Sequence, residues 1–380
     1  MNTIQTSIIP WGGYRMSHDI AVIGEGCAAL SLAAKAEQLP DYHLTLIRPN
    51  GAPKSKDHVW GFWSDETLED AVKLAKGTWH QWAVITPKKH AVMSSKSMPY
   101  NAIKRSDWTA HCRSLAQSAG VKFIDQEDWQ MEDNSTVFDT RPPVVPDDCI
   151  LQHFHGLEIR TKIPAFEPKT AILMDFRVDQ SKGMHFIYLL PYSTTEALVE
   201  STIFSTNLAD EQFYLSTIDN YLATHYQVEE YEITHRENGV IPLGKLFPHD
   251  VNIPGLGANG GATRPASGYA FLFIQRQITS AIERVNAGKK LTFTNPHKRL
   301  DLWMDSVLLT VLRHWPQHGP NLFSSMARTL TGDQFVKFLS GDASWWIRLK
   351  VIFSMPKIPF LKALTKRAFT RKKVSTAVVA

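Results

Sequence analysis

Cysteine is scarce in this chain. Its 380 residues hold three, Cys27, Cys112 and Cys149, odd in number and far apart. That argues against a disulfide framework and against a thiolate zinc site, and no metal centre is expected. A reducing, cytoplasmic compartment suits such cysteine usage. Long apolar runs are missing too: nothing approaches the roughly 18 uninterrupted apolar residues of a membrane-crossing helix. No internal repeat and no low-complexity linker occurs. The opening stretch, Met1 to Arg15, has one basic residue and no long apolar core. A secretory signal is therefore not expected, and an upstream start or a disordered leader is the simplest reading. What remains is ordinary for a globular protein of two to three domains' length, or one large two-lobed unit: 43% hydrophobic and 21% charged residues.

Acid is absent from the C-terminal end. Between Ala343 and Ala380 stand nine basic residues and no Asp or Glu, leaving 32 basic against 37 acidic residues elsewhere. No recognised nucleic-acid-binding motif accompanies this tail, so no nucleic-acid partner is expected. Trp345, Trp346, Ile347, Val351, Ile352, Phe353, Phe360, Leu361, Leu364 and Phe369 interleave with the cations. That pattern suits either an anionic membrane surface, with peripheral attachment, or a helix packing its apolar face on the body.

Near the start, Ile20 to Ile23 read as a short buried strand, and the residues after Gly26 as a helix. Between them Gly24-Glu-Gly26-Cys-Ala-Ala29 forms G-x-G-x-x-A. This fingerprint brings a dinucleotide pyrophosphate close to backbone amides: Gly24 for the turn, Gly26 for close approach, Ala29 for helix–strand packing. The second strand, Leu44 to Ile47, should end in an acid for the ribose hydroxyls, but Arg48 stands there. Either other groups hold the ribose, or Arg48 reaches a phosphate.

Further on, Leu173 to Gln180, Gly183 to Pro191 and Ala197 to Phe204 read as three strands of an antiparallel meander. Period-two geometry places Leu198, Glu200 and Thr202 on one face and Val199, Ser201 and Ile203 on the other. Asp175 is expected on the face with Leu173 and Arg177. Glu200, flanked by apolar residues, is either a solvated surface carboxylate or one desolvated enough to act as an acid.

Taken in order, several segments resemble the bacterial lycopene β-cyclases over most of the chain, from about Met16 to the early 360s. They are the glycine loop, Asp57-His58-Val-Trp60-Gly-Phe62-Trp63, Asp139-Thr-Arg141, Leu151 to Glu158, Met174 to Gln180, Val199-Glu200, Gly239-Val-Ile-Pro242 and Gly260-Gly261-Ala-Thr-Arg264-Pro265-Ala-Ser-Gly268-Tyr269.

The resemblance implies an α/β fold like the flavin hydroxylases: an FAD-binding Rossmann-like lobe, an antiparallel-sheet substrate lobe and a C-terminal helical region. Its expected divisions are a leader over 1–15, the first part of the FAD lobe over 16–150, the substrate sheet over 151–245 and a return to the FAD lobe over 246–290. A helical region over the substrate follows at 291–361, with an apolar stripe from Leu302 to Leu312, and then the basic tail at 362–380. The implied activity converts the linear ψ ends of lycopene, and then of γ-carotene, to β-ionone rings. It does so without net redox change, with reduced FAD and with NAD(P)H as electron donor. The resemblance assigns Glu200 the catalytic role, and Gly24, Gly26, Ala29, Arg105, Gly260 and Gly261 to the cofactor. His58, Trp60, Asp175, Thr202, Pro265 and Gly268 are expected to line flavin or substrate. A flavin monooxygenase on a lipophilic substrate, an NADP-dependent reductase favoured by Arg48, and a non-enzymatic membrane-recruited module are the alternatives.

Overall fold

The protein is described here by a computed structural model covering residues 18–52, 56–130 and 135–377; the leader lies outside the described residues. Parallel strands β1 (His18–Ile23), β2 (Tyr42–Arg48), β8 (Lys122–Asp125) and β9 (Thr136–Asp139) form a four-stranded sheet in the order β8-β2-β1-β9. Ile20, Val22, Leu44 and Leu46 are buried against α1 (Cys27–Ala33), α3 (Arg105–Ser118) and α5 (Phe271–Asn286). Strands covered on both faces need near-continuous apolar side chains, which is why Ile-Ala-Val-Ile reads as it does.

The second body is a seven-stranded sheet in the order β14-β10-β13-β12-β11-β5-β6. It comprises β5 (Gln81–Thr86), β6 (Lys89–Ser94), β10 (Ile150–Arg160), β11 (Thr170–Asp175), β12 (Met184–Pro191), β13 (Glu196–Ser205) and β14 (Glu232–Leu243). The expected meander is β11-β12-β13. Residues 81–94, assigned by sequence to the first lobe, instead add β5 and β6 to this sheet, because Thr170–Asp175 offers β5 a parallel edge. One sheet face packs on α4 (Glu211–Tyr226) through Val199, Ile187, Ile218 and Leu222. The other carries Leu198, Phe186 and Phe204.

That second face is covered by the C-terminal helices α6 (Arg299–His314), α7 (Gly319–Thr329), α8 (Gly332–Leu339) and α9 (Trp345–Ser354). The last helix, α10 (Lys357–Ala377), runs unbroken through the boundary drawn at 361/362, and its Ala363 packs beside Val307 and Val311 of α6. No helix among the described residues is long and apolar enough to cross a membrane. The apolar stripe of α6 also differs from expectation. Trp303 is exposed, whereas Asp301 and Asp305, one helical turn apart, are buried. Asp305 accepts from Arg264 at 3.1 and 3.3 Å, and Asp301 from Arg348 at 2.9 and 3.0 Å.

A small sheet, β3 (Val59–Trp63), β4 (Gly77–Trp79) and β7 (Tyr100–Lys104), lies between the two bodies, and α2 (Glu69–Lys73) precedes β4. Its first strand alternates: Trp60 and Phe62 pack into the first body, Val59 and Trp63 into the second.

Candidate active site

Two regions emerge. At the carboxyl end of β1, Gly24 has φ +122°, and a Cβ there would lie 2.0 Å from Thr140 Oγ1. Only glycine fits this turn. Gly26, by contrast, faces open space, with nothing within 4 Å of a Cβ. Ala29 is fully buried, as tight helix–strand packing requires. Gly257 closes the same mouth: a Cβ on it would meet that of Ala28 at 2.4 Å. Gly260 and Gly261 follow in this turn, where side chains would strike Gly255 O at 2.5 Å and Asn295 Nδ2 at 2.6 Å. These two glycines are needed for the turn's own packing.

Arg48 is engaged at this mouth. Its Nε donates to Glu25 Oε2 at 2.8 Å, and Arg113 holds the other oxygen of the same carboxylate. Burial pushes the Glu25 carboxyl up, but the two guanidiniums hold it below its ordinary range. The cation at the end of β2 is thus matched by an acid from the glycine loop. Arg105 opens α3, donating from Nη1 to Lys56 O at 3.2 Å. Trp60 Nε1 donates to His58 Nε2 at 2.8 Å, and the Trp60 ring packs on Phe271 at 5.2 Å. His58 and Trp60 therefore belong to the first body and lie off the carboxylate-bearing sheet face.

The second region is the sheet face under α6 to α9. Glu200 on β13 is 9% exposed and stands opposite Gly156 of β10, which in turn stands opposite Glu237 of β14. A Cβ on Gly156 would lie 2.9 Å from the Cγ of both glutamates. The glycine is what lets two carboxyl side chains fold over one backbone position and meet. Burial, reinforced by Glu237, drives the Glu200 carboxyl well above the usual carboxylate range. Burial also raises Glu237, against the Glu200 hydrogen bond and the Val59 N–H that donates to its Oε2 at 3.0 Å.

Around them stand neutral phenols and one more acid. Tyr188 on β12 is opposite Glu200 and hydrogen-bonds Tyr100 across 2.9 Å. Glu158 is held by Lys76 at 2.6 Å. Glu158 Oε1, Glu237 Oε1 and Tyr192 Oη are buried without an ordinary donor or acceptor among the described residues. Beside this cluster Trp63 gathers Tyr100 at 4.8 Å, Tyr269 at 5.5 Å, and Trp82 and Phe335 at 6.0 Å. Thr202, on the Glu200 face as expected, is buried. The turn holding Pro265 reaches the same face: a Cβ on Gly268 would sit 2.9 Å from Ile241 Cγ2 and 3.3 Å from Gln152 Oε1. Arg264 anchors that turn by donating to Phe338 O and Leu339 O, both at 2.8 Å.

Asp175 is the residue the structure moves away. Ile172 pairs with Leu189 but Asp175 with Ile187, so one extra residue is inserted in β11. Such a bulge flips every later side chain. Asp175 consequently faces α4, where Tyr221 donates to it at 2.7 Å and Arg177 at 2.6 Å, while Leu173 stays on the opposite face. It serves as a buried structural anion and does not line the Glu200 face. Glu237 is the residue that sequence reasoning missed. Its only signal was position, two residues before the quoted Gly239-Val-Ile-Pro242. A cleft of about 670 Å³ opens elsewhere, lined by Leu243, Phe247, Leu309, Arg313 and Lys366, and neither Glu200 nor Glu237 borders it.

Comparison with known proteins agrees with this architecture. A lycopene beta-cyclase of Pantoea ananas is 23% identical over 382 residues, spanning 91% of this chain and 97% of its own. Among solved structures, a geranylgeranyl bacteriochlorophyll reductase-like protein of Thermoplasma acidophilum superposes with a TM-score of 0.58 at 12% identity, covering 91% of this chain and 98% of its own. The flavin-dependent brominase Bmp2 does so at 0.50 and 14%, covering 94% and 100%. At such identities the structures share the fold alone: a Rossmann-like parallel sheet, an antiparallel-sheet lobe and C-terminal helices. The profile described as lycopene cyclase protein matches residues 19–365, and the chain belongs to that family.

Proposed function

We propose that this protein is a lycopene β-cyclase that closes each ψ end of lycopene, by way of γ-carotene, into a β-ionone ring. The observation that carries the reading is the buried carboxyl of Glu200, raised by desolvation and by Glu237, beneath a set of aromatic rings. Protonating an unactivated alkene makes a tertiary carbocation, so the donor must hold its proton at neutral pH in a dry pocket. Glu200 meets that demand. The faces of Trp63, Tyr100 and Tyr269 offer negative electrostatic potential to a passing cation. Every phenol nearby is neutral, so none is a phenolate that would trap it.

FAD fits the first region. Open space in front of Gly26, the glycine turn at 257–261 and the carboxyl end of β1 are where this fold type accepts a dinucleotide. Gly24, Gly26, Ala29, Gly260 and Gly261 would border it, with Arg105 near its phosphates. When bound and reduced, with NAD(P)H as the electron donor, the flavin supplies electron-rich character that favours positive charge nearby. Arg48, committed to Glu25, gives little support to the NADP-reductase alternative. Expression in a lycopene-accumulating host tests the function. Chromatography should show γ- and β-carotene; unchanged lycopene despite folded, flavin-loaded protein would refute it and favour a monooxygenase.

The substrate is a hydrocarbon, so the enzyme must meet a bilayer, and an anionic membrane surface is the proposed partner. Trp345, Trp346 and Phe353 of α9 are 69%, 77% and 72% exposed; Lys350 is on the same helix, and the Lys357 ammonium lies over the Phe353 ring. Deleting Lys362 to Ala380 would cut through the packed part of α10, so substitution is the sharper test. Replacing Trp345, Trp346 and Phe353 by Ser should lower flotation with anionic vesicles by roughly fivefold or more at an unchanged melting temperature. Equal flotation would remove α9 from the docking surface.

A further inference from the structure

Two buried carboxyl groups brought together over a glycine cannot both be ionised, since like charges in contact without solvent repel strongly. Both oxygens facing each other are acceptors unless one carries hydrogen, and Glu237 Oε1 has no other donor among the described residues. One proton between the pair resolves this. The surroundings then decide which partner keeps it. Glu237 Oε2 accepts from the Val59 amide at 3.0 Å, a bond that favours the ionised form. The influences on Glu200 are burial and Glu237 itself. We propose that Glu237 is a positioning residue: its carboxylate, fixed by Val59 N–H across Gly156, keeps the proton on Glu200 and aims it into the site.

The groups facing the pair are consistent with this arrangement. On β10, Glu158 adds negative charge near Glu237 but is tied to Lys76. Asp57, ahead of β3, contributes in the same sense and is itself held by Ser106. Tyr188, Tyr192, Tyr100 and Tyr269 face the pair as uncharged phenols.

The catalytic consequence rests on the cyclase reading, and the proton sharing does not. In the reaction, the Glu200 O–H bond breaks as a C–H bond forms at the alkene, leaving two carboxylates beside the carbocation. The ring closes by C–C bond formation. A proton on the carbon next to the cation then returns to Glu200, and the pair ends as it began, with nothing oxidised or reduced.

Infrared spectroscopy of the flavin-loaded protein tests the pair directly. Wild type should retain a protonated carboxyl C=O band at neutral pH, where ordinary carboxyls are ionised. Glu200→Gln should lose it. Glu237→Gln removes the opposing charge and supplies an amide donor to Glu200, so the band should titrate at least about one pH unit lower, a tenfold change in population. The sign for activity follows. The protonated form is the active one, so the alkaline limb of kcat should move down by the same interval. The loss should be small below the wild-type limb and grow toward tenfold above it, with KM unchanged. Glu237→Asp, which keeps the charge, should restore much of the limb. A band and limb left in place by Glu237→Gln, or a loss equal at every pH, would overturn the proposal. If that variant does not fold, a wild type without a protonated carboxyl at neutral pH overturns it equally. Cyclisation without the band sinks the proton sharing alone; the band without cyclisation sinks the cyclase reading and leaves the pair standing.

Discussion

Glu200→Gln is expected to lower cyclisation by roughly 10²–10⁴-fold, the usual contribution of a positioned acid. The substitution keeps volume and shape, and its amide can donate to the Glu237 carboxylate across Gly156, so the sheet has no reason to open. It removes only the transferable proton. Flavin content and melting temperature should stay at or above wild type, because a buried titratable pair is replaced by a neutral donor and a single acceptor. Initial rates by pigment chromatography, read beside flavin absorbance and a thermal melt, separate chemistry from folding. Activity within about threefold of wild type, with flavin bound, would remove Glu200 from the proton path.

Asp301→Ala should be the most damaging substitution for stability. Arg348 is buried and donates to Asp301 through Nε and Nη2, as well as to Ala343 O. Without the carboxylate, a guanidinium is left charged and desolvated, a loss of about 3–5 kcal/mol. Because α9 hangs on this pair, the unfolding midpoint in urea should fall and vesicle binding through Trp345 and Trp346 should fall with it. Replacing both partners, Asp301→Leu with Arg348→Met, should recover most of the stability, since a dry apolar pair carries no stranded charge. A single variant as stable as wild type would show that Ala343 O suffices for Arg348.

The glycine loop was legible because everything that defines it is local: an apolar strand, Gly24 where φ is positive, and Ala29 where helix meets strand. The meander was legible for the same reason, since period two on β13 places Glu200 and Thr202 on one face whatever their neighbours are. Asp175 was misplaced because one inserted residue in β11 shifts the phase, and no composition signal marks it. On α6, apolar spacing drew attention to Leu302 and Trp303, while the buried contacts include Asp301 and Asp305. Their carboxylates tolerate burial only because Arg348 and Arg264 arrive from distant segments.

By itself, then, the sequence determined the dinucleotide-type opening, the antiparallel core, the family and the candidate acid. Each of these depends on residue type at short spacing. Tertiary structure alone decided that Glu237 is the partner of Glu200, that Arg48 answers to Glu25, and that α9 presents its tryptophans outward. Those outcomes depend on which strand lies beside which. Gly156 joins the two acids only because β10 runs between β13 and β14, a pairing between segments far apart in the chain that no local periodicity encodes.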